Sequence, residues 1–200
     1  LELWRKIAGG TGAIAATGLV DGVVDDPCGA EGCEETAWNY TWYDMPTHDE
    51  NGFEYEYWVD ETAVPENFEK SLNGLTVTNT YVIPTDGEAT ATKVWEDGPE
   101  PRPTVWFQLW RQIGGGTPEI VPGAEIKELA DGTTEVTWTG LERTDIDGNE
   151  YTFTVKEVDA DGNDFVPEDY SKVEEGLTVT NSYVIPTDGE ATATKVWEDG

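Results

Sequence analysis

The stretch VIPTDGEATATKVWEDG occupies residues 82–98 and returns, letter for letter, at residues 184–200, an offset of 102 residues. The repetition continues around it. GLTVTNTY at 74–81 returns as GLTVTNSY at 176–183 with the same offset. LELWRKI at 1–7 matches FQLWRQI at 107–113, and EYEYWVDE at 54–61 matches EYTFTVKE at 150–157. The offsets drift because loops tolerate insertions and deletions while paired strands hold register. Such self-similarity marks tandem modules. The proline and Asp-Gly of VIPTDGE mark the junctions. Residues 86–187 thus read as one complete module, residues 1–85 as a module lacking its first strand, and residues 188–200 as the first strand of a further one.

Within a module, Val, Thr, Trp and Tyr alternate over short runs, separated by Asn51-Gly52, Asn73-Gly74, Asp147-Gly148 and Asp161-Gly162. Alternation punctuated by such turns predicts strands throughout, and about a hundred residues of them predict a β-sandwich. The alternation also sorts side chains by face. Ala91, Lys93 and Trp95 share one face; so do Leu177, Val179, Asn181 and Tyr183; so do Tyr151, Phe153, Val155 and Glu157. Each face is apolar except for one residue, so a lysine, an asparagine and a glutamate are expected inside the core.

Burying these groups separately would cost several kcal/mol each. If they meet, two readings stand. The first is a hydrogen-bonded polar cluster or buried ion pair. The second is a reaction. Desolvation lowers the pKa of a lysine and raises that of a glutamate. A neutral Lys93 amine could then attack the side-chain carbonyl of Asn181, with protonated Glu157 polarising that carbonyl and carrying protons to the leaving ammonia. Folding would supply the effective concentration that an unactivated amide needs, and Trp95 and Phe153 would exclude water.

KVWEDGPEPRP, the strand VWFQLW, then YTFTVKE and LTVTNSY resemble, in that order, the B-type repeat of collagen-binding surface adhesins and pilins (CnaB). The resemblance covers residues 88–183. It implies tandem inverse immunoglobulin-like sandwiches, each stapled by a self-formed Lys–Asn isopeptide bond between first and last strands. Carried over, Lys93 is the nucleophile, Asn181 the acceptor and Glu157 the catalytic acid. In residues 1–85 the same pattern gives Glu61 and Asn79 with no lysine at that end, and Lys195 is the lysine of the segment 188–200. The Gly/Ala-rich IAGGTGAIAATG and a Cys pair in the first module have no strong counterpart in the family, and no Cys–Gln thioester signature occurs.

Composition narrows the function classes. A net charge of −31 makes nucleic acid and anionic membrane poor partners. Nine Trp, eight Tyr and five Phe argue against the disorder that such acidity otherwise suggests. No run approaches transmembrane length and no signal peptide opens the chain, which reads as a fragment of a secreted protein. Cys28 and Cys33 suit a small disulfide loop; a zinc site would want further Cys or His, and His48 is the only histidine. No metal or other cofactor is expected. DIDGNE at 145–150 and DADGND at 159–164 resemble calcium loops only in part, and Asp-Gly hairpin turns account for both. IPTDG at 83–87 and 185–189 reads as a linker rather than a sorting signal. Trp106 and Trp110 alternate against Val105, Phe107 and Leu109, which suits outer-face packing or a sugar surface.

The expectation is a structural one: spacer modules of a fibre at the cell surface, cell-wall anchored in the full-length protein, with no enzymatic turnover. The alternative is an adhesin module recognising a host matrix protein or glycan, motivated by the Cys loop and by Trp38, Trp42 and Trp58. A strand needs partners for its backbone groups, and residues 1–85 offer a vacant sheet edge. Residues 188–200 of one copy are therefore expected to fill the sandwich of the next, head to tail, pairing Lys195 with Asn79 beside Glu61. Such a heterologous contact propagates as a filament.

Overall fold

The computed structural model describes residues 1–12, 14–15, 23–25 and 39–198; of residues 14, 15, 23–25 and 40 it describes the backbone alone. Two compact units divide the chain, Leu1–Val82 and Ile83–Gly200. Among the described residues every regular element is a strand.

In the first unit, β1 (Glu2–Ile7) lies between β2 (Ile14–Ala15) and, after β3 (Val23–Asp25) and β4 (Asn39–Thr41), β5 (Tyr55–Asp60). β3 and β4 pair with each other, and β6 (Phe68–Asn73) and β7 (Thr76–Tyr81) form a hairpin. β1 and β5 are antiparallel with Leu3 opposite Val59, and both of these side chains are buried. Trp58, one of the aromatics considered for ligand contact, is stacked on Trp4 with ring centroids 6.4 Å apart.

The second unit contains two four-stranded sheets. In one, β9 (Val105–Ile113) pairs along one edge with β13 (Tyr151–Val158) and along the other with β10 (Glu119–Ile120) and β11 (Lys127–Leu129). The other has the order β12 (Glu135–Leu141), β8 (Gly87–Glu96), β15 (Thr178–Tyr183), β14 (Tyr170–Glu175). All its pairings are antiparallel except that of β8 with β15, the first and last strands, which is parallel. The alternation in the sequence becomes the alternation in burial. Gly87, Ala89, Ala91 and Lys93 are buried, whereas Glu88, Thr90, Val94 and Glu96 are exposed. Val105, Phe107 and Leu109 of β9 meet Ala89, Ala91, Val155 and Val179 in a single core cluster. Phe107 and Leu109 are essentially inaccessible, each contributing about 1.5–3 kcal/mol by burial. A side chain at Gly87 would place its Cβ 2.7 Å from the Leu141 carbonyl oxygen, so close approach of β12 dictates glycine there.

The repeat is visible in pairing as well as in sequence. Leu3 faces Val59 as Leu109 faces Val155, and Lys70 faces Asn79 as Lys172 faces Asn181. The Val59 N–H donates to the Gly74 carbonyl as the Val155 N–H donates to that of Gly176. GEATATKVWE, identical at 87–96 and 189–198, is the exception. The first copy is a ten-residue strand, and the second carries no strand and is exposed throughout. The first copy pairs with β12 along residues 87–92 and with β15 along residues 92–96; the second has no ladder partner among the described residues.

Candidate functional site

Lys93, Asn181 and Glu157 meet in the core of the second unit. Lys93 sits on β8 and Asn181 on the adjacent β15, where Val179 is the register partner of Lys93 and Asn181 that of Trp95. Lysine and asparagine are thus on the same face of one sheet, displaced by two residues, a diagonal that a long side chain spans. Glu157 projects from β13 in the opposite sheet. The Asn181 Nδ2 donates to Glu157 Oε1 at 2.9 Å and Oε2 at 3.2 Å. The Lys93 Nζ is 3.3 Å from Glu157 Oε2 and lies over the Trp95 ring, 4.0 Å from its centroid. It also donates to the Val94 carbonyl at 3.2 Å. Lys93 is 2% exposed, and Glu157 and Asn181 are 0% exposed, so bulk water does not bathe any of the three.

That burial sets the protonation states. Desolvation pushes the Lys93 amine below its ordinary pKa, although the Glu157 carboxyl beside it pulls the other way. Desolvation pushes the Glu157 carboxyl above the ordinary range, against the Asn181 hydrogen bond and the Lys93 charge. Both shifts favour the neutral forms, an amine with a free lone pair and a carboxyl with a proton to give. The Asn181 Oδ1 is buried without a hydrogen-bond partner. An amide oxygen with an open acceptor position is where a proton donor would polarise the carbonyl.

The first unit repeats two thirds of this arrangement. The Asn79 Nδ2 donates to Glu61 Oε2 at 2.8 Å, the counterpart of the Asn181–Glu157 contact. No β8-type strand lies beside β7 among the described residues, and the pair is more exposed than its counterpart. Lys195 lies in the strandless segment 184–198, its Nζ over the neighbouring Trp197 ring at 3.4 Å. Cys28, Cys33 and Trp38 lie outside the described residues.

The acidic turns are occupied by their own backbone. Asp145 Oδ1 accepts from the N–H groups of Asp147 and Asn149, and Asp159 Oδ1 from those of Asp161 and Asn163. Asp49 does the same for Asn51 and Phe53. The Asn149 and Asn163 side chains, which also donate to Asp145 and Asp159, together with these backbone bonds hold those two carboxyls below the ordinary range, and the Phe53 N–H chiefly does so for Asp49. Among the described residues no group of three or more His, Cys, Asp or Glu side chains is placed to hold a metal ion. Trp110 on the outer face of β9 is half-buried beneath Lys156, whose Nζ is 4.1 Å from its ring centroid.

Lys172, Asp164 and Glu174 also belong to the site's surroundings, and alternation of the core faces did not single them out. The Lys172 Nζ is 2.6 Å from Asp164 Oδ1 and 2.9 Å from Glu174 Oε1, and it donates to the Glu157 carbonyl at 3.1 Å. The signal that could have found it is the repeat: Lys70 and Lys172 stand at the same offset as Asn79 and Asn181.

The Cna protein B-type domain family matches at residues 20–80 and 89–182. The collagen adhesin of Staphylococcus aureus is 40% identical over 124 residues, which are 62% of this chain and 10% of that protein. The chain thus spans about a tenth of the length of that curated relative. A crystal structure of a single B repeat unit of the collagen-binding surface protein of S. aureus is 22% identical, covering 92% of this chain and 87% of that one, with a TM-score of 0.38. A pilus adhesin from Lactobacillus rhamnosus GG is 16% identical, covering 63% of this chain and 18% of its own, with a TM-score of 0.35.

Proposed function

The chain belongs to the Cna protein B-type domain family, and from that premise we propose that its modules are spacers of an extended surface fibre, each locked by a self-formed Lys–Asn isopeptide bond. The observation that carries the proposal is the buried contact of Lys93, Glu157 and Asn181, with burial favouring neutral forms of the amine and the acid. An ion pair held only for stability gains little from complete burial, because desolvation opposes the attraction. The same burial is what a nucleophilic amine requires.

The chemistry balances within the three side chains. The neutral Lys93 Nζ attacks the Asn181 Cγ, while the Glu157 carboxyl, which lies against Nδ2, stands where it can protonate the leaving nitrogen. The proton that Nζ sheds passes through Glu157 to Nδ2, the Cγ–Nδ2 bond breaks, and ammonia leaves. One amide replaces another, with no oxidant and no cofactor. Glu157 ends as it began, but the product stays attached, so the event is a single turnover and not an enzymatic cycle.

The mechanical consequence follows from the parallel β8–β15 pair. Tension applied to the two ends of the module enters at the start of β8 and leaves at the end of β15, on opposite sides of the sheet. A bond from Lys93 to Asn181 carries that load across, and the chain between them never bears it. In the disulfide analogy, closing a loop of about 90 residues stabilises by up to ~4–5 kcal/mol on the chain-entropy model. We extend the same logic to the ends. Residues 86–187 act as the complete module, and residues 188–198 as the first strand of another. Lys195 then supplies the amine for an acceptor such as Asn79 beside Glu61, joining copies or repeats head to tail. The setting is the outer surface of a Gram-positive-type cell, in keeping with the names of the relatives. A host matrix protein is the partner class that the name of the collagen adhesin suggests for the whole protein.

Intact mass of the purified chain tests the central claim. Each bond removes one ammonia, a loss of about 17 Da. A chain at its sequence mass, with Lys93 recovered unmodified in its tryptic peptide, would sink the proposal.

A further inference from the structure

We propose that Lys172, held by Asp164 and Glu174, is a positioning residue for amide exchange at Lys93 and Asn181, acting by fixing the backbone of Glu157; this rests on the isopeptide reading above. Among the described residues β13 is the last strand of its sheet, with β9 along one edge and no strand along the other. A backbone donor and acceptor on such an edge must find partners elsewhere. Glu157 finds them on side chains of β14. Its N–H donates to Glu174 Oε1 at 2.9 Å, and its carbonyl accepts from the Lys172 Nζ at 3.1 Å, with a longer bond from the Phe165 N–H at 3.4 Å. Lys172 and Glu174 are themselves paired at 2.9 Å, and Asp164 steadies the lysine from its other side at 2.6 Å. The acid of the site is thus gripped at both backbone polar groups by one ion-paired unit.

The strand supplying that grip also places the acceptor. Lys172 is the register partner of Asn181 in the β14–β15 ladder. Cross-strand partners point to the same side of a sheet, so both reach toward β13. Docking β15 in its correct register therefore delivers Asn181 to the Glu157 carboxyl and Lys172 to the Glu157 carbonyl together. The first unit makes the same contact with a different acid beside it. Lys70, register partner of Asn79, donates to the Glu61 carbonyl at 2.6 Å and pairs with Asp60 at 2.5 Å. The lysine-to-carbonyl bond is common to both units and the counter-ion is not, which assigns the role to the bond. Misplacement of a reacting group by about 1 Å can slow a reaction about 100-fold.

The test follows intact mass against time for the full chain after a short pulse of cell-free synthesis, with near-UV circular dichroism reporting folding. The wild-type chain loses about 17 Da. Lys172→Met folds and loses the same mass about 10–100-fold more slowly, and Lys172→Arg, which restores a donor and a charge, recovers most of the rate. An arginine rescue is not expected if the lysine merely fills space. If Lys172→Met lacks the near-UV signal, Glu174→Gln decides: it loosens the lysine, and a slowed reaction supports the proposal while a wild-type rate overturns it. A shifted wild-type chain with an equally fast, folded Lys172→Met overturns the positioning role alone. A wild-type chain at its sequence mass overturns the isopeptide reading and this role with it.

Discussion

Replacing Glu157 with glutamine separates catalyst from linker. The glutamine has the shape of the acid and keeps an oxygen to accept from the Asn181 Nδ2, which now bonds to the carboxylate at 2.9 and 3.2 Å. It loses the transferable proton of a group 3.3 Å from the Lys93 Nζ. Removing a general acid–base group slows a reaction about 10²–10⁴-fold. The variant should therefore fold and stay at its sequence mass while the wild-type chain is about 17 Da lighter. The thermal consequence follows from loop closure. Losing about 4 kcal/mol of unfolded-state constraint, at about 4–8 °C per kcal/mol for a domain of this size, lowers the Tm by about 15–30 °C. Asn181→Ala, which removes the acceptor and keeps the acid, should show the same unshifted mass. Intact-mass spectrometry with scanning calorimetry reads both quantities. A Glu157→Gln chain that has lost ammonia at the wild-type rate refutes the assigned role, and a variant lacking the bond yet melting with the wild type refutes the loop argument.

Three further outcomes are expected. Gly98 has φ of +93°, and an added Cβ would overlap the Tyr170 hydroxyl, whose ring is held edge-on by Trp95 and Tyr183. Gly98→Ala should cost about 1–3 kcal/mol, and an unchanged Tm would contradict that packing. The carboxyls of Asp145 and Asp159 are held below their ordinary 3.8 by the turns they accept from. Their folded-state contribution is therefore present above that pH and lost as pH falls through the lower folded values; carbon-detected NMR titration should give midpoints below 3.8, and midpoints at or above it would disprove the turn assignment. Concentrated wild-type chain should yield boiling-resistant multimers on denaturing gels, and Lys195→Ala should abolish them; a ladder that survives the substitution excludes Lys195 as the joining amine.

The core of the second unit was legible because alternation has a period that no side chain can escape. A lysine in step with Ala91, and an asparagine in step with Val179, had to point inward once those strands existed. The Glu157 contact to Asn181 required only that two inward faces meet. What alternation could not give was the ladder order. That Lys93 and Asn181 lie on adjacent, parallel strands, offset by two residues, is a property of the sheet and not of either strand. Lys172 escaped notice for a related reason. Its neighbours on β14, Val173 at 59% exposure among them, do not mark an apolar inner face, so periodicity gives it no reason to be inside. Only its contacts to a strand in the other sheet reveal what it does. The acidic turns were legible from local chemistry alone, since an Asp two and four residues before a free N–H closes its own loop.

The two copies of GEATATKVWE show where strand formation and chemistry are decided. Their local propensities are identical, yet one is a ten-residue strand and the other carries no strand. Propensity therefore does not make this strand; ladder partners, β12 along its first half and β15 along its second, do. The same difference governs the lysine. In the first copy, burial lowers the Lys93 pKa and sets the amine against Glu157. In the second, Lys195 is exposed, with its Nζ over the neighbouring Trp197 ring. On the isopeptide proposal, docking of this strand does both things the reaction needs: it buries the amine and brings it beside the strand that carries the acceptor. On the same proposal, a lysine outside the sandwich lacks both its desolvation and its acceptor amide. The proposed bond would then be confined to the asparagine that the register selects, Asn181 for Lys93.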